Sequence, residues 1–147
     1  MEGVRLFNVD SPFIRAAMKD RPNEPVVNMA KVDEGSIELV SVRDQPALHP
    51  NVSAVVEDDM KKTVVDMVED IFGKDIQMRW VDGFFPFTRP SLELEIYFQE
   101  RWMEVMGCGV VQQKILTSNG AKDYIGWAFG KAKGERKRKK KPSEERN

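Results

Sequence analysis

Cysteine and histidine are almost absent from this 147-residue sequence, which contains one of each, Cys108 and His49. A single cysteine cannot form an internal disulfide framework, and it leaves too few ligands for a thiolate zinc site. A sequence without disulfides is typical of a reducing compartment. His49 lies in the loop-like segment ALHPNVS, and we interpret it as a surface residue. Neither histidine-centred catalysis nor a metal site is therefore predicted.

Long hydrophobic runs are also missing. No stretch approaches the roughly 18 apolar residues of a membrane-spanning helix, so we expect no membrane partner. The first ten residues, MEGVRLFNVD, have neither the apolar core of a secretory signal nor the arginine-rich, acid-poor pattern of a transit peptide, so we expect no targeting segment. With 41% hydrophobic and 32% charged residues, the composition is typical of one ordinary globular domain.

Charge is distributed unevenly along the chain. Residues 131–147 hold nine Lys or Arg and three Glu, a local balance of +6, which leaves −7 on residues 1–130 against the total of −1. Six consecutive basic residues repel one another and cannot bury an apolar face, so we predict a globular region over 1–130 and a disordered basic tail over 131–147. The tail is either a nucleic-acid or nuclear-import patch or a solvated segment without a dedicated role.

Within residues 1–130 the hydrophobic periodicity changes several times. Residues 9–50 carry prolines without a sustained period, which predicts a loop-rich insertion with a short helical turn around residues 14–18. Helical spacing predicts a long amphipathic helix over 53–72 that ends at Gly73. Its apolar stripe comprises Val56, Met60, Val64, Met67, Val68 and Ile71. A second, short helix is predicted over 110–118, before the NG of residues 119–120, and strands are predicted over 1–7, 36–42, 76–81, 91–98, 102–109 and 124–130.

Two of these predicted strands form a hairpin because only the residues QER separate them. In the first strand of the pair, Leu92, Leu94 and Ile96 alternate with glutamates, so one face should pack on the helix and the other should present carboxylates. In the second, strict alternation places Glu104 on the same face as Trp102 and Met106. An acid on an otherwise apolar strand suggests a functional role. The nearby glycines Gly107 and Gly109 allow either a close backbone approach or a sharp turn.

The segment FFPFTRP, residues 84–90, crowds phenylalanines into a turn. On spacing alone such a turn is more often a plug for the core than the wall of a pocket, and both interpretations stay open at this point. The glutamates Glu93 and Glu95, which follow the turn, are more often a solvated sheet face than ligands.

The block RWVDGFFPFTRPSLELEIYFQERWMEVMGCGVVQQKILTSNGAKDYIGWAFG, residues 79–130, resembles phenylalanyl-tRNA synthetases, in particular the single-chain organellar form of this class II family. The motifs FPFT-x-PS, W-x-E-V-x-GCG and GWAFG occur in the family's order and spacing. Upstream, MEGVRLF and the helix EDDMKKTVVDMVEDIFG are similar to family elements, whereas residues 9–50 have no confident counterpart.

The resemblance implies part of a class II catalytic core with an α+β fold, in which helices flank an antiparallel sheet. It implies ATP-dependent activation of phenylalanine, with Mg2+, and transfer of the amino acid to tRNA-Phe. It also implies location in the mitochondrial matrix or another organelle.

The resemblance further implies a phenylalanine-binding site. The aromatic rings of Phe85 and Phe87 would flank the benzyl ring of the substrate. Thr88 and Ala128 would line the same pocket, and Ala128 would set how large a para substituent fits. Glu2 would hold the substrate ammonium. Glu104 and Phe129 also match positions that contact substrate in the family. For Glu93 and Glu95, metal contact on the ATP side and plain exposure stay open.

The sequence also departs from the family pattern. The arginine of the second class II signature is absent, and GWAFG continues into KAKGERKRKKK instead of a glycine- and leucine-rich turn and a helix with a second arginine. Losing one cationic group that stabilises phosphoryl transfer commonly costs on the order of 100-fold in rate. We therefore predict that the chain alone is catalytically inactive. The alternative is a non-catalytic fragment or paralogue that binds RNA or phenylalanine.

Overall fold

A computed structural model of the chain describes residues 2–33 and 43–131. Its helices and strands follow in the order β1 (Glu2–Asn8), α1 (Pro12–Ala17), a 3-10 turn (Met29–Lys31), α2 (Pro50–Phe72), β2 (Gln77–Asp82), β3 (Thr88–Phe98), β4 (Arg101–Val111), α3 (Gln113–Ser118) and β5 (Tyr124–Lys131). The strands form one five-stranded sheet in the order β1-β5-β4-β3-β2, and every neighbouring pair is antiparallel. The predicted fold class, α+β with an antiparallel sheet and flanking helices, is confirmed.

Helix α2 covers one face of the sheet, which we call the helix face. The side chains of Val52, Val56, Met60, Val64 and Val68 recur every four residues and are buried in the core with apolar residues of β3, β4 and β5. A four-residue repeat keeps side chains on one side of a helix, so this stripe packs along its whole length. The predicted stripe was wrong at one residue: Ile71 is 58% exposed, because the repeat that reaches Val68 continues to Phe72.

Helix α2 begins three residues earlier than predicted. Pro50 occupies the first turn, where its missing N–H is harmless, and His49 is the N-cap, with a side chain that accepts a hydrogen bond from the Asn51 N–H. The Nε2 of His49 also lies 2.5 Å from Oε1 of Glu24, and its side chain is only 12% exposed. The interpretation of His49 as a plain surface residue was therefore wrong, since its role is to cap a helix.

Asp59 ties the edge strand β1 to the helix. Its carboxylate accepts hydrogen bonds from the Arg5 guanidinium at 3.0 Å and from the indole N–H of Trp127 at 2.9 Å. The Arg5 guanidinium also lies 5.5 Å from the centre of the Trp127 ring. These contacts connect β1, β5 and α2 and so fix the edge strand against its neighbour.

The hairpin between β3 and β4 is confirmed, with Gln99 and Glu100 as its two-residue turn, both at positive φ. An irregularity interrupts the pairing between Leu94 and Glu95, so that Leu94 lies opposite Met106 whereas Glu95 lies opposite Glu104. Consecutive residues of β3 point to opposite faces. The expectation that Glu104 shares a face with Met106 was therefore wrong, because one extra residue in β4 acts as a β-bulge.

The insertion over residues 9–50 is irregular where it is described. It contains α1, close to the predicted helical turn, then the 3-10 turn and an isolated antiparallel bridge between Val27 and Leu48. The predicted strand 36–42 and residues 132–147 of the predicted tail lie outside the described residues, whereas Lys131 is the last residue of β5. Among the helices of the described ranges, none has the length and apolar character needed to cross a membrane.

Candidate phenylalanine-binding site

The face of the sheet opposite α2, which we call the open face, is lined by small and acidic residues. The pairing of β1, β5, β4 and β3 puts their residues into two neighbouring rows across this face. The first row comprises Glu2, Gly130, Gly107 and Glu93. The second row comprises Val4, Ala128, Gly109 and Ser91. Because four of the eight positions, all in β4 and β5, are glycine or alanine, other groups can approach the backbone closely there.

The turn between β2 and β3 folds back over this floor of glycines. The ring of Phe85 lies on Gly107 so closely that a Cβ atom there would be 2.7 Å from Cζ of the ring. Phe84 and Phe87 are 80% and 61% exposed, and the three phenylalanines of the turn are outside the buried core cluster. The interpretation from spacing alone, a plug for the core, was therefore wrong. The prediction of a close backbone approach at the glycines is confirmed.

Thr88 lies on the second glycine of the floor. A Cβ atom at Gly109 would be 2.5 Å from both the Thr88 Cβ and the carbonyl oxygen of Pro90. The hydroxyls of Thr88 and Ser91 are 2.6 Å apart, and the Ser91 hydroxyl also donates to the Thr88 carbonyl at 3.0 Å. Since Ser91 has one proton, the Thr88 hydroxyl is the donor in the shared contact. The Thr88 hydroxyl is therefore already used in a hydrogen bond within the turn.

Two glutamines hold the turn on β4. The backbone N–H of Gln112 donates to the Phe87 carbonyl at 2.9 Å, and its side-chain amide donates to the Pro86 carbonyl at 3.2 Å. The buried side chain of Gln45 donates to the Arg89 carbonyl at 3.0 Å. Neither glutamine was predicted from the sequence, because a side chain that donates a hydrogen bond to a backbone carbonyl produces no periodic pattern.

Ala128 and Glu2 complete the arrangement on the side of β5 and β1. Ala128 lies between Gly109 and Val4, next to the position that Thr88 covers. Glu2 is exposed in the first row, two strands from Gly107, which corresponds to about 10 Å at ordinary strand spacing. An apolar wall and a carboxylate at this separation can accommodate a small amino acid with an aromatic side chain and a free ammonium group.

The structure does not gather all the predicted site residues. It brings Glu2, Phe85, Thr88 and Ala128 onto one part of the open face. Phe87 lies in the same turn but is largely exposed, and Glu104 is on the open face nearer the hairpin, opposite Glu95. Phe129 lies on the helix face, over Gly3 and 6.0 Å from the Trp127 ring.

Glu95, whose role stayed open in the sequence, has a structural partner. Glu95 is buried, with 8% of its surface exposed, and its Oε1 accepts a hydrogen bond from Nε of Arg79 at 2.7 Å. The Arg79 guanidinium stacks 4.1 Å from the centre of the Trp102 ring. Because Glu95 is buried and hydrogen-bonded to Arg79, plain exposure was the wrong interpretation for it.

The other buried ion pair connects the insertion to α2. Arg43 makes two hydrogen bonds to the Glu57 carboxylate, which also contacts the Lys61 ammonium at 3.2 Å. Burial alone would raise the pKa of Glu57, but the hydrogen bonds and charges of Arg43 and Lys61 outweigh it and lower that pKa below its ordinary value. The same hydrogen bond to Glu57 raises the pKa of Arg43.

The chain is similar to proteins of one known family. A model of the family described as "tRNA synthetases class II core domain (F)" matches residues 51–136, more than half of the chain. The chain belongs to this family. The match includes α2 from its second residue onward, strands β2 to β5 and the turn between β2 and β3, but not β1.

Individual relatives carry phenylalanine in their names. The chain is 42% identical over 130 residues to the mitochondrial phenylalanine–tRNA ligase of Mus musculus, a match that covers 88% of this chain and 27% of the relative. The corresponding enzyme of Dictyostelium discoideum is 38% identical over 130 residues, which are 88% of this chain and 25% of the relative. The chloroplastic/mitochondrial enzyme of Arabidopsis thaliana is 52% identical over 73 residues, which are 50% of this chain and 17% of the relative. The chain thus spans about a quarter of the length of the first two.

Proposed function

We propose that this chain forms the amino-acid-binding part of the catalytic site of a phenylalanine–tRNA ligase. In the complete site, phenylalanine would be activated with ATP and transferred to tRNA-Phe. The observation that carries the proposal is the placement of Phe85 on Gly107 and Thr88 on Gly109, beside Ala128 on the open face. The names of the mitochondrial relatives support an organellar location.

The proposed pocket distinguishes phenylalanine from tyrosine by what surrounds the para position. Ring contacts with Phe85 and the methyl groups of Thr88 and Ala128 provide an apolar environment. The Thr88 hydroxyl donates to Ser91, so it is not a free donor for a phenol oxygen. Tyrosine should bind more weakly than phenylalanine, because its hydroxyl would be buried without a hydrogen-bond partner. Glu2 would bind the ammonium group of either amino acid.

ATP and Mg2+ are implied by the class II family. Within residues 2–33 and 43–131, no group of three or more His, Cys, Asp or Glu side chains could hold a metal ion, so we assign no metal ligand in this part of the chain. Mg2+ in nucleotide sites is usually held by one or two carboxylates together with phosphate oxygens. The role that we propose for the described residues is to bind and orient phenylalanine, on the geometry of the open face.

Isothermal titration calorimetry of the 147-residue chain tests the proposal. We expect saturable binding of phenylalanine and weaker binding of tyrosine. In Ala128→Gly, the extra space should improve binding of para-chlorophenylalanine relative to phenylalanine. Failure of the unsubstituted chain to bind phenylalanine would contradict the proposal. Pyrophosphate exchange, measured in parallel with ATP, tests the separate prediction that these residues alone do not catalyse activation.

A further inference from the structure

We propose that Gln45, which belongs to the insertion and precedes residues 51–136 of the family-model match, is a positioning residue for the phenylalanine pocket. It acts by holding Thr88 against Gly109. This inference rests on the proposed function, because it assigns Gln45 a role in the shape of the same pocket.

The side chain of Gln45 joins three elements. It is 4% exposed, and its amide nitrogen donates to the carbonyls of Arg89 in β3 at 3.0 Å and Val111 in β4 at 3.1 Å. Its amide oxygen accepts the N–H of Gln113 at the start of α3 at 2.8 Å. Both donors and one acceptor site of the amide are thus satisfied by backbone atoms.

These bonds lie at a gap in the sheet. Thr88 pairs with Val111 and Ser91 pairs with Gly109, and the strand register shifts between these two pairs, at Arg89 and Pro90. A buried carbonyl that leaves the strand pairing needs another partner. Gln45 supplies that partner for Arg89, the residue next to Thr88, and also binds Val111, the residue opposite Thr88. One side chain therefore holds both the residue that follows Thr88 in β3 and the residue opposite it in β4.

The segment that carries Gln45 is itself anchored. Ala47 and Leu48 are almost fully buried, and Arg43 binds Glu57 of α2. Contacts with α2 and the core thus fix the position of Gln45. Its side-chain amide in turn holds the start of β3, next to the turn on the open face. Neither glutamate nor methionine can replace it, because a carboxylate lacks the two N–H donors and a thioether has no donor at all.

Calorimetry with two ligands separates positioning from a general loss of stability. If a variant only lowers the fraction of folded chain, the apparent affinities for phenylalanine and para-chlorophenylalanine fall by the same factor and their ratio is unchanged. If Thr88 moves, the space at the para position changes and so does the ratio. Gln45→Met keeps the length of the side chain and removes its hydrogen bonds, and we expect phenylalanine affinity to fall about 10-fold with an altered ratio.

Arg43→Met is the matched control. This substitution removes the ion pair with Glu57 that anchors the same segment, but it leaves the hydrogen bonds to Arg89 and Val111 in place. The ratio of the affinities for the two ligands should therefore equal that of the unsubstituted chain. If Gln45→Met does not fold, Gln45→Glu is tested by the same affinity ratio. Its carboxylate can still accept the hydrogen bond from the Gln113 N–H but cannot donate to the Arg89 and Val111 carbonyls. A thermal unfolding scan accompanies each titration.

The outcomes are distinguishable. Absence of phenylalanine binding in the unsubstituted chain overturns the proposed function and, with it, this inference. Binding by the unsubstituted chain together with an unchanged ratio in the Gln45 variants overturns the inference alone. An equal change of ratio in Arg43→Met also overturns it, since the effect would then come from docking of the whole segment.

Discussion

The two faces of strand β4 are built from opposite kinds of residue. Met106, Cys108 and Val110 point to the helix face and are buried in the core, whereas Gly107 and Gly109 face the open side and carry the turn. The helix face of β4 therefore contributes side chains to the core, whereas its open face leaves room for other groups. If this division holds, substitutions on the helix face should change the free energy of unfolding without changing the phenylalanine affinity of the folded chain, whereas substitutions on the open face should change that affinity.

The largest effect on stability is expected from Leu94→Ala on the helix face. Leu94 is fully buried, and truncating such a leucine costs about 3 kcal/mol through lost burial and the cavity left behind. Urea unfolding followed by circular dichroism measures the loss. The phenylalanine affinity of the molecules that remain folded should be unchanged. Ile71→Ala, at an exposed position of α2, is the control and should alter stability little.

A change in affinity of the folded Leu94→Ala chain would break the division between the faces. A loss of stability smaller than about 1 kcal/mol would also contradict the division. It would mean that the core fills the space left by the Leu94 side chain.

Gly109→Ala should have the largest effect on the open face. The added methyl group would meet the Pro90 carbonyl oxygen and the Thr88 Cβ at 2.5 Å, so the turn has to move away from β4. Overpacking of this kind costs about 1–3 kcal/mol, and we expect phenylalanine affinity to fall on the order of 10-fold or more. Gly130→Ala is the steric control for stability, because a Cβ atom there meets nothing within 4 Å. Equal melting temperatures for the two variants would contradict the steric argument.

The same contrast explains what the sequence could predict. On the helix face, Val56, Met60 and Val64 repeat every four residues and Leu92 and Leu94 alternate, so both the helix and the strand were predicted from periodicity. Side chains that contact a continuous surface leave such a pattern. This is why the sheet, the hairpin and most of the long helix were predictable.

The open face leaves no such pattern. Its floor consists of glycines, which have no side chain to repeat, and the phenylalanines that lie on it look in sequence like core residues. The bulge that reverses Glu104 depends on the pairing of two strands and not on either strand alone. Gln45 meets Arg89 and Gln113 across 44 and 68 residues of sequence, a distance at which no local spacing applies. The motifs of the synthetase family supplied the candidate site where periodicity could not.

Acidification should weaken the packing of the insertion on helix α2 through Glu57. The pKa of Glu57 is lowered in the folded chain from an ordinary 4.5, so its ion pair with Arg43 stabilises the fold fully above the unfolded pKa. That contribution is lost as pH falls through the lowered, folded-state pKa. We expect the melting temperature to drop with pH below about 4.5 and to drop less in Glu57→Gln, which has no carboxylate to protonate. Parallel curves for the two chains would show that other carboxylates dominate.

The smallest effect is expected from thiol reagents, although Cys108 lies directly between the two glycines of the floor. Its side chain points to the helix face, is 2% exposed, and burial raises the pKa of the thiol to about 12. Since the thiolate is the reactive form, the folded chain should not react with a disulfide reagent at pH 8 and should keep its phenylalanine affinity. The urea-unfolded chain should react with one equivalent. Rapid modification of the folded chain would mean that β4 exposes both faces, and the separation of a stabilising face from a binding face would then fail.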